Sequence, residues 1–157
     1  MLRSRTTLCL LFLLATGSLA AAQSAPFSLA IDGPENTIKS GEPITIFVNI
    51  TNLSDRTLYI PRYSPLIEYD FDILDPSNLV PSETELAYRI KHPGDDGYVS
   101  ASGGSLKAHG QATYPITLTG YFVMSRPGSY LVRLSRVIPS ISPERVTSNV
   151  IYISVAE

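Results

Sequence analysis

The stretch Ile44–Ile60, ITIFVNITNLSDRTLYI, alternates apolar and polar residues, breaks on a short polar turn and then alternates again. A period of two residues is typical of a β-strand with one buried face, whereas an amphipathic helix repeats every ~3.6 residues. The turn, NLSD, consists largely of turn-forming residues, so a partner strand is expected after it. The side chains predicted to face the core from the first strand are Ile44, Ile46, Val48 and Ile50.

The same alternation recurs along most of the chain. Further strands are predicted in FSLAI, LIEYDFDIL, ELAYRI, YPITL, SYLVRLSRV and NVIYISV, with Pro-, Gly-, Asn- and Asp-rich turns between them. Predicted inward side chains are Phe27, Leu29, Ile31, Ile67, Tyr69, Phe71, Ile73, Leu86, Tyr88, Ile90, Ile116, Leu118, Tyr130, Val132 and Leu134, with Glu68, Asp70 and Asp72 on a wet face. In the last strand, either Ile151, Ile153 and Val155 or Val150 and Tyr152 face inward. Seven to nine short strands, with no helix longer than two turns, predict an antiparallel β-sandwich.

A late segment, PGSYLV (Pro127–Val132), narrows the type of sandwich. Tyr130 follows the strand-opening Gly128 by two residues. This is the position of the tyrosine corner in immunoglobulin-like domains, where the hydroxyl bonds back to the backbone. Antibody domains have a cysteine two residues further on, and this chain has Val132. The sequence therefore predicts an all-β, immunoglobulin-like sandwich without a disulfide.

Four segments together carry a resemblance to a known group: SGEPITIFVNITNLSDRTLYI, YDFDILDPSNLV, PGSYLVRL and SNVIYISV. Their succession resembles the exported immunoglobulin-like domains of bacteria and is similar in layout to the BsuPI-type proteinase-inhibitor domain. The resemblance implies a sandwich over nearly the whole mature chain, and it suggests protease binding.

The N-terminal residues have the pattern of an export signal. Arg3 and Arg5 precede the apolar run Leu8–Ala15, and small residues follow, so cleavage is expected near Ala22. The prediction is a signal peptide over residues 1–22 and one domain over residues 23–157. The only cysteine, Cys9, lies in the signal, and exported eukaryotic domains usually carry disulfides, so a bacterial periplasmic or secreted protein is favoured. The sequons that begin at Asn49 and Asn52 are then chance products of a polar turn.

The charge distribution bears on the kind of partner. Without the signal, ten basic and fourteen acidic residues remain, and the basic residues do not cluster, which argues against nucleic acid. No second apolar span follows the signal, so no membrane anchor is expected. The expected partner is another protein.

Catalytic and metal-binding residues are scarce in the sequence. The only histidines, His92 and His109, fall in predicted turns, and no Gly-x-Ser-x-Gly motif is present. A copper site of the cupredoxin type would need a cysteine thiolate. Asp95 and Asp96 between glycines offer a weak calcium motif, for which a hydrated turn is the simpler interpretation. We therefore expect a protein that is not an enzyme and that carries no cofactor.

Two functions remain open from the sequence. The first is a non-enzymatic binding or accessory module of the bacterial cell envelope, and the alternative is a protease inhibitor that acts through loops at one end of the sandwich. In immunoglobulin-like domains, the loop after the second strand and the loop before the last strand share an end. The residues predicted to form these contact loops are Asn52, Leu53, Ser54, Asp55, Arg56, Pro139, Ser140, Ile141, Ser142, Pro143, Glu144 and Arg145, with Ser100–Ser105 as a third segment.

Overall fold

A computed structural model describes residues 25–94 and 102–157 of the chain. Over these residues the chain forms ten strands, two short α-helices and one 3-10 turn. The strands are β1 (Phe27–Asp32), β2 (Ile38–Lys39), β3 (Thr45–Asn52), β4 (Leu58–Arg62), β5 (Asp70–Leu74), β6 (Ser102–Leu106), β7 (Gln111–Thr117), β8 (Gly128–Ile138), β9 (Ser142–Thr147) and β10 (Ile151–Ala156). The helices are α1 (Pro65–Glu68) and α2 (Glu85–Lys91), and the 3-10 turn is Leu118–Gly120.

The first sheet has β3 at its centre, between β1 and β7, with both pairings antiparallel. Val48 lies opposite Ile31 on one side and opposite Tyr114 on the other. The inward face predicted for β3 is confirmed, because Ile44, Ile46, Val48 and Ile50 are all buried. Alternate residues of a strand point to opposite faces, so one buried face requires this period of two.

The second sheet has the order β2-β10-β8-β5, and β8 is its longest strand. The first half of β8 pairs with β10, the second half pairs with β9, and β5 lies along the opposite side. The short β2 runs parallel to β10. In β10, Ile153 and Val155 face inward and Tyr152 is exposed. Of the two alternatives predicted for the inner face of this strand, the one with Ile153 and Val155 is therefore correct.

This topology is immunoglobulin-like. The second and fifth strands of that fold pair in one sheet, and the third, sixth and seventh form the other. Here β3 pairs with β7, while β8 lies between β5 and β10. The predicted fold class is therefore confirmed, with one strand more than the upper end of the expected range.

The predicted tyrosine corner is present. Tyr130 is buried, and its hydroxyl accepts a hydrogen bond of 3.0 Å from the backbone N–H of Arg126. Gly128 adopts a φ of +131°, and a Cβ atom there would approach the Pro76 ring to 2.6 Å. Because L-residues rarely adopt that region and a side chain would collide, the corner depends on glycine at this position.

One predicted strand is wrong in part. LIEYDFDIL begins as α1, with Ser64 at the N-cap and Pro65 in the first turn, and only Asp70–Leu74 is a strand. Proline is well suited to the first helical position because its missing N–H would have no helical partner there. As a result Ile67, predicted inward, is exposed, whereas Glu68, predicted to be wet, is buried.

The segment ELAYRI is a helix and not a strand. Thr84 caps α2 by accepting a 3.2 Å hydrogen bond from the Ala87 N–H, and basic residues occupy the last turn. Such a cap and a C-terminal positive charge both favour a helix. Consequently Ala87 is buried, while Leu86 and Tyr88, predicted inward, are exposed.

Candidate binding surface

The predicted loop Asn52–Arg56 is a tight turn anchored by its first residue. Asn52 has 0% of its surface exposed. Its amide nitrogen donates to the carbonyl oxygens of Arg56 (2.7 Å), Leu106 (3.1 Å) and Lys107 (2.9 Å), and its amide oxygen accepts from Ser54. The expectation of an exposed contact residue is therefore wrong for Asn52, because its amide satisfies buried backbone groups.

The other residues of this turn lie at the surface. Leu53, Asp55 and Arg56 are exposed, and Ser54 is half-buried. Asp55 accepts a 2.9 Å hydrogen bond from the exposed ring of His109. The turn thus offers one apolar and two charged side chains beside a buried asparagine.

The second predicted loop is mostly β-structure. Pro139–Ile141 forms the turn of a hairpin, and β9 begins at Ser142, so the prediction of a loop over residues 139–145 is wrong from that point. Ser142 is buried, and its hydroxyl accepts from the Glu144 N–H at 3.2 Å. The residues that remain exposed are Pro139, Ser140, Pro143, Glu144 and Arg145, with Ile141 half-buried.

Both predicted segments flank β1. The backbone N–H of Leu53 donates to the Pro26 carbonyl just before β1, and β9 packs beside β1. Of the third segment, Ser102–Ser105 belongs to β6, and the rest lies outside the described residues. Asp95 and Asp96, named for calcium, also lie outside the described residues.

The outer face of β5, β8 and β9 carries ordered charge pairs. Arg133 binds Asp72, and Arg145 binds both Asp70 and Ser135. A depression of about 300 Å³ on this face is lined by Asp70, Phe71, Asp72, Arg133, Leu134, Ser135, Arg145 and Thr147. The predicted acidic row at Asp70 and Asp72 is thus matched by arginines.

A different surface concentrates apolar side chains. Residues 75–94 form an insertion between β5 and β6, held against residues 118–126 by the Glu83–Phe122 bridge and by the Thr84 N–H bond to the Tyr121 carbonyl. In addition, α1 contacts α2. Among the described residues, twelve large apolar side chains are exposed, and seven of them lie on these two segments, on α1 or, in the case of Tyr63, just before α1: Tyr63, Ile67, Leu79, Val80, Leu86, Tyr88 and Val123. We refer to these seven residues as the insertion surface.

Beside the insertion surface lies a buried ionic cluster. The side chain of Glu68 is 0% exposed and lies 3.1 Å from Arg62 Nε and 3.3 Å from Arg136 Nη1. Arg136 also donates to the Pro61 carbonyl oxygen and, at 3.3 Å, to the Tyr69 hydroxyl. Burial raises the pKa of Tyr69 to about 12, and the nearby guanidinium of Arg136 opposes this shift.

This cluster was missed in the sequence, although one signal for it was present. Tyr130, Val132 and Leu134 face inward on β8, and the same period of two places Arg136 on the buried face. A buried arginine requires a carboxylate or several acceptors, since an unpaired buried charge is very costly. The partner Glu68 could not be named, because the alternation of LIEYDFDIL was interpreted as a strand from its first residue.

Comparison with known proteins gives a likeness of fold. No family model and no curated protein matches the chain. Among solved structures, it is similar to the CARDB domain of a Pyrococcus furiosus protein solved in complex with di-metal ions. The identity is 10% and the TM-score 0.46, over 84% of this chain and 89% of that chain. The chain is an immunoglobulin-like β-sandwich.

The residues first considered for chemistry do not converge. The two histidines are exposed, His92 stacks on Tyr88 with ring centroids 4.3 Å apart, and His109 contacts Asp55. Among the described residues, no group of three or more His, Cys, Asp or Glu side chains is placed to hold a metal ion. Within residues 25–94 and 102–157, neither helix is long and apolar enough to cross a membrane.

Proposed function

We propose that the protein is a non-enzymatic binding module of the bacterial cell envelope and that it contacts a partner protein through the insertion surface. One observation carries this proposal: among the described residues, seven of the twelve exposed large apolar side chains lie on or directly beside three connected segments, and Val80 alone is 74% exposed. Clustered exposed apolar side chains mark surfaces that are covered by another molecule. The proposal of export rests on the signal pattern of residues 1–22. The relationship to the BsuPI-type proteinase-inhibitor domain is also a proposal, and it rests on the layout of the strands.

The experiment compares matched variants of the mature chain in crosslinking from native envelopes. Val80→Glu and Tyr88→Ala each alter an exposed side chain of the insertion surface. Tyr152→Ala alters a tyrosine of similar exposure (69%) on β10, outside the insertion surface, and is the control. We expect a specific crosslinked product to be lost with the first two variants and kept with the third. Equal yields from all variants would contradict the proposed surface.

Export is tested separately. In a bacterial host the chain should be recovered from the periplasm or the medium with its N-terminus near residue 23, because cleavage is expected after the small residues that follow the apolar run. Replacing Arg3 and Arg5 by glutamate should slow processing, since the basic n-region would be lost. A full-length chain in the cytoplasm would contradict the assignment.

A second candidate function, protease inhibition, is favoured by the exposed side chain of Leu53 at the tip of its turn. An exposed apolar side chain on a short loop suits a protease subsite, and Pro139 and Ser140 lie on a second tight turn. The test is titration of serine and cysteine proteases with the wild type and with Leu53→Asp. Stoichiometric inhibition that the variant loses would favour this function, and digestion of both proteins would oppose it.

A further inference from the structure

The buried ionic cluster holds more positive than negative charge. Glu68 is its only carboxylate among the described residues, whereas Arg62 and Arg136 both lie against it. One carboxylate between two guanidinium groups leaves an excess of one positive charge. Removing charge from water is costly unless it is paired, so an acceptor for the second guanidinium would stabilise the cluster.

The two arginines differ in their exposure and in the number of acceptors that their guanidinium groups contact. Arg136 is 2% exposed and contacts Glu68, Tyr69 and Pro61. The side chain of Arg62 is 22% exposed, and it donates to Glu68 only through its Nε. Among the described residues, the only hydrogen bond from the Arg62 guanidinium to a carboxylate comes from its Nε. The excess charge therefore lies at the surface end of the cluster, on the outer edge of the Arg62 guanidinium.

The Arg62 guanidinium is also held in place. Its central carbon lies 3.6 Å from the centroid of the Tyr114 ring, and Glu68 holds its Nε from the side. Stacking on an aromatic face attracts the cation and fixes its plane. Burial by itself lowers the pKa of Arg62, but the charge and hydrogen bond of Glu68 and the hydrogen bond with Tyr114 together outweigh it and leave the pKa raised, so the cation is always present. An arginine edge fixed in one plane is prepared for two parallel hydrogen bonds to one carboxylate.

We infer that the Nη edge of Arg62 binds a carboxylate group, with Tyr114 and Glu68 as positioning residues. This inference rests on the proposed function for the origin of that carboxylate. Tyr63, the residue after Arg62, belongs to the insertion surface, so a partner covering that surface would place an acidic side chain or its C-terminal carboxylate here. A planar anion suits this edge better than a cation or a neutral amide. Both Nη groups of Arg62 are hydrogen-bond donors, and the guanidinium is positively charged.

The test uses small probes and the purified protein, so it does not depend on finding the partner. Acetyl-glutamate amide and acetyl-diglycine carry a side-chain and a terminal carboxylate, and acetyl-glutamine amide is the neutral control. Binding is followed by NMR through the backbone N–H signals of residues 62 and 63, which are present in the wild type and in every variant. Because single exposed ion pairs contribute little, we expect saturation with a Kd on the order of millimolar for at least one carboxylate, weakening with salt. The neutral amide should give no saturable shift.

Three variants distinguish binding at the Arg62 edge from a general effect of positive charge. Tyr114→Leu keeps the arginine but removes its platform, and should weaken binding by at least about fivefold while the protein stays folded. Arg133→Lys alters an exposed arginine paired with Asp72 and should leave the affinity unchanged. Arg62→Lys keeps the charge but loses the fork geometry, and should also weaken binding.

Three results would overturn the inference. The first is an equal response to the carboxylates and the neutral amide, and the second is a response that Tyr114→Leu and Arg62→Lys leave unchanged. The third is binding that appears only in the Asp95→Asn, Asp96→Asn double variant, because the carboxylate would then come from the chain itself. Equal crosslink yields from all variants of the insertion surface, together with normal carboxylate binding, would contradict the proposed function alone. The reverse result would contradict only the Arg62 site.

Discussion

The hydroxyl of Tyr130 accepts a 3.0 Å hydrogen bond from the backbone N–H of Arg126, four residues earlier in the chain. The bond closes the turn that leads into β8, the strand that pairs with β5, β9 and β10. Burial raises the pKa of Tyr130, so the hydroxyl stays protonated in the folded protein at neutral pH. A single side chain thus ties the entry of the central strand to the end of the sandwich.

Removing the Tyr130 hydroxyl should cost about 1 to 3 kcal/mol of unfolding free energy, because the Arg126 N–H loses its acceptor. Tyr130→Ala should cost about 3 to 5 kcal/mol, since a cavity is added. Urea unfolding of Tyr130→Phe and Tyr130→Ala measures both. Tyr152→Phe, at an exposed tyrosine, is the control and should change stability by less than about 0.5 kcal/mol. Two curves close to that of the wild type would contradict a structural role for the corner.

Strand β3 offers a test of its inward face within three consecutive residues. Ile46 and Val48 are 0% exposed, whereas Phe47 between them is 48% exposed. Ile46→Ala and Val48→Ala should each lower the unfolding free energy by about 1 to 4 kcal/mol. Phe47→Ala removes a larger side chain but should cost less. A larger loss for Phe47→Ala in chemical denaturation would reverse the assignment of faces.

The buried ionic cluster should be far more sensitive than an exposed ion pair. Glu68→Gln keeps the shape but leaves Arg62 and Arg136 without a counter-charge, and we expect a loss of about 3 to 5 kcal/mol. Asp72→Asn removes the partner of the half-exposed Arg133 and should cost less than about 1 kcal/mol. Denaturant midpoints of the two variants give the comparison. Similar small losses of unfolding free energy in Glu68→Gln and Asp72→Asn would mean that water screens the charge of Glu68.

Tyr69 predicts a dependence of stability on alkaline pH. Its pKa in the folded protein is about 12, above the usual 10.0, so the folded state retains this proton at a pH where the unfolded chain releases it. The contribution is complete below pH 10 and is lost as the pH rises from about 10 to about 12, amounting to about 2 to 3 kcal/mol.

The measurement for Tyr69 is ultraviolet titration of tyrosinate in the folded protein. Tyr121 and Tyr130 also have pKa values raised by burial, so the difference between the wild type and Tyr69→Phe isolates this group. The difference curve should have its midpoint near pH 12. A midpoint near pH 10 would contradict the burial of the hydroxyl.

Much of the fold could be predicted from the sequence, because each sheet buries one face. The alternation in β1, β3 and β8 identified the core side chains, and the glycine before Tyr130 identified the corner. The candidate surface could be predicted less well. Leu53 and Arg145 were expected to be exposed and are exposed, but Asn52 and Ser142 were expected to be exposed and are buried. Polar residues that satisfy buried backbone groups look the same in a sequence as polar residues that face water.

The sequence by itself determined the class of structure, the two-residue periodicity of the core and the absence of a disulfide, since these depend on local patterns and on residue types. Only the tertiary structure decided that ELAYRI is a helix, that Glu68 lies between two arginines, and that Arg62 is held over Tyr114. A six-residue segment can alternate in a way that suits a strand or a helix, and the Thr84 cap bonded to the Gly120 carbonyl selects the helix. Residues 62 and 68 are far from residues 114 and 136 in the chain, so the four side chains come together only where the sheets and α1 meet.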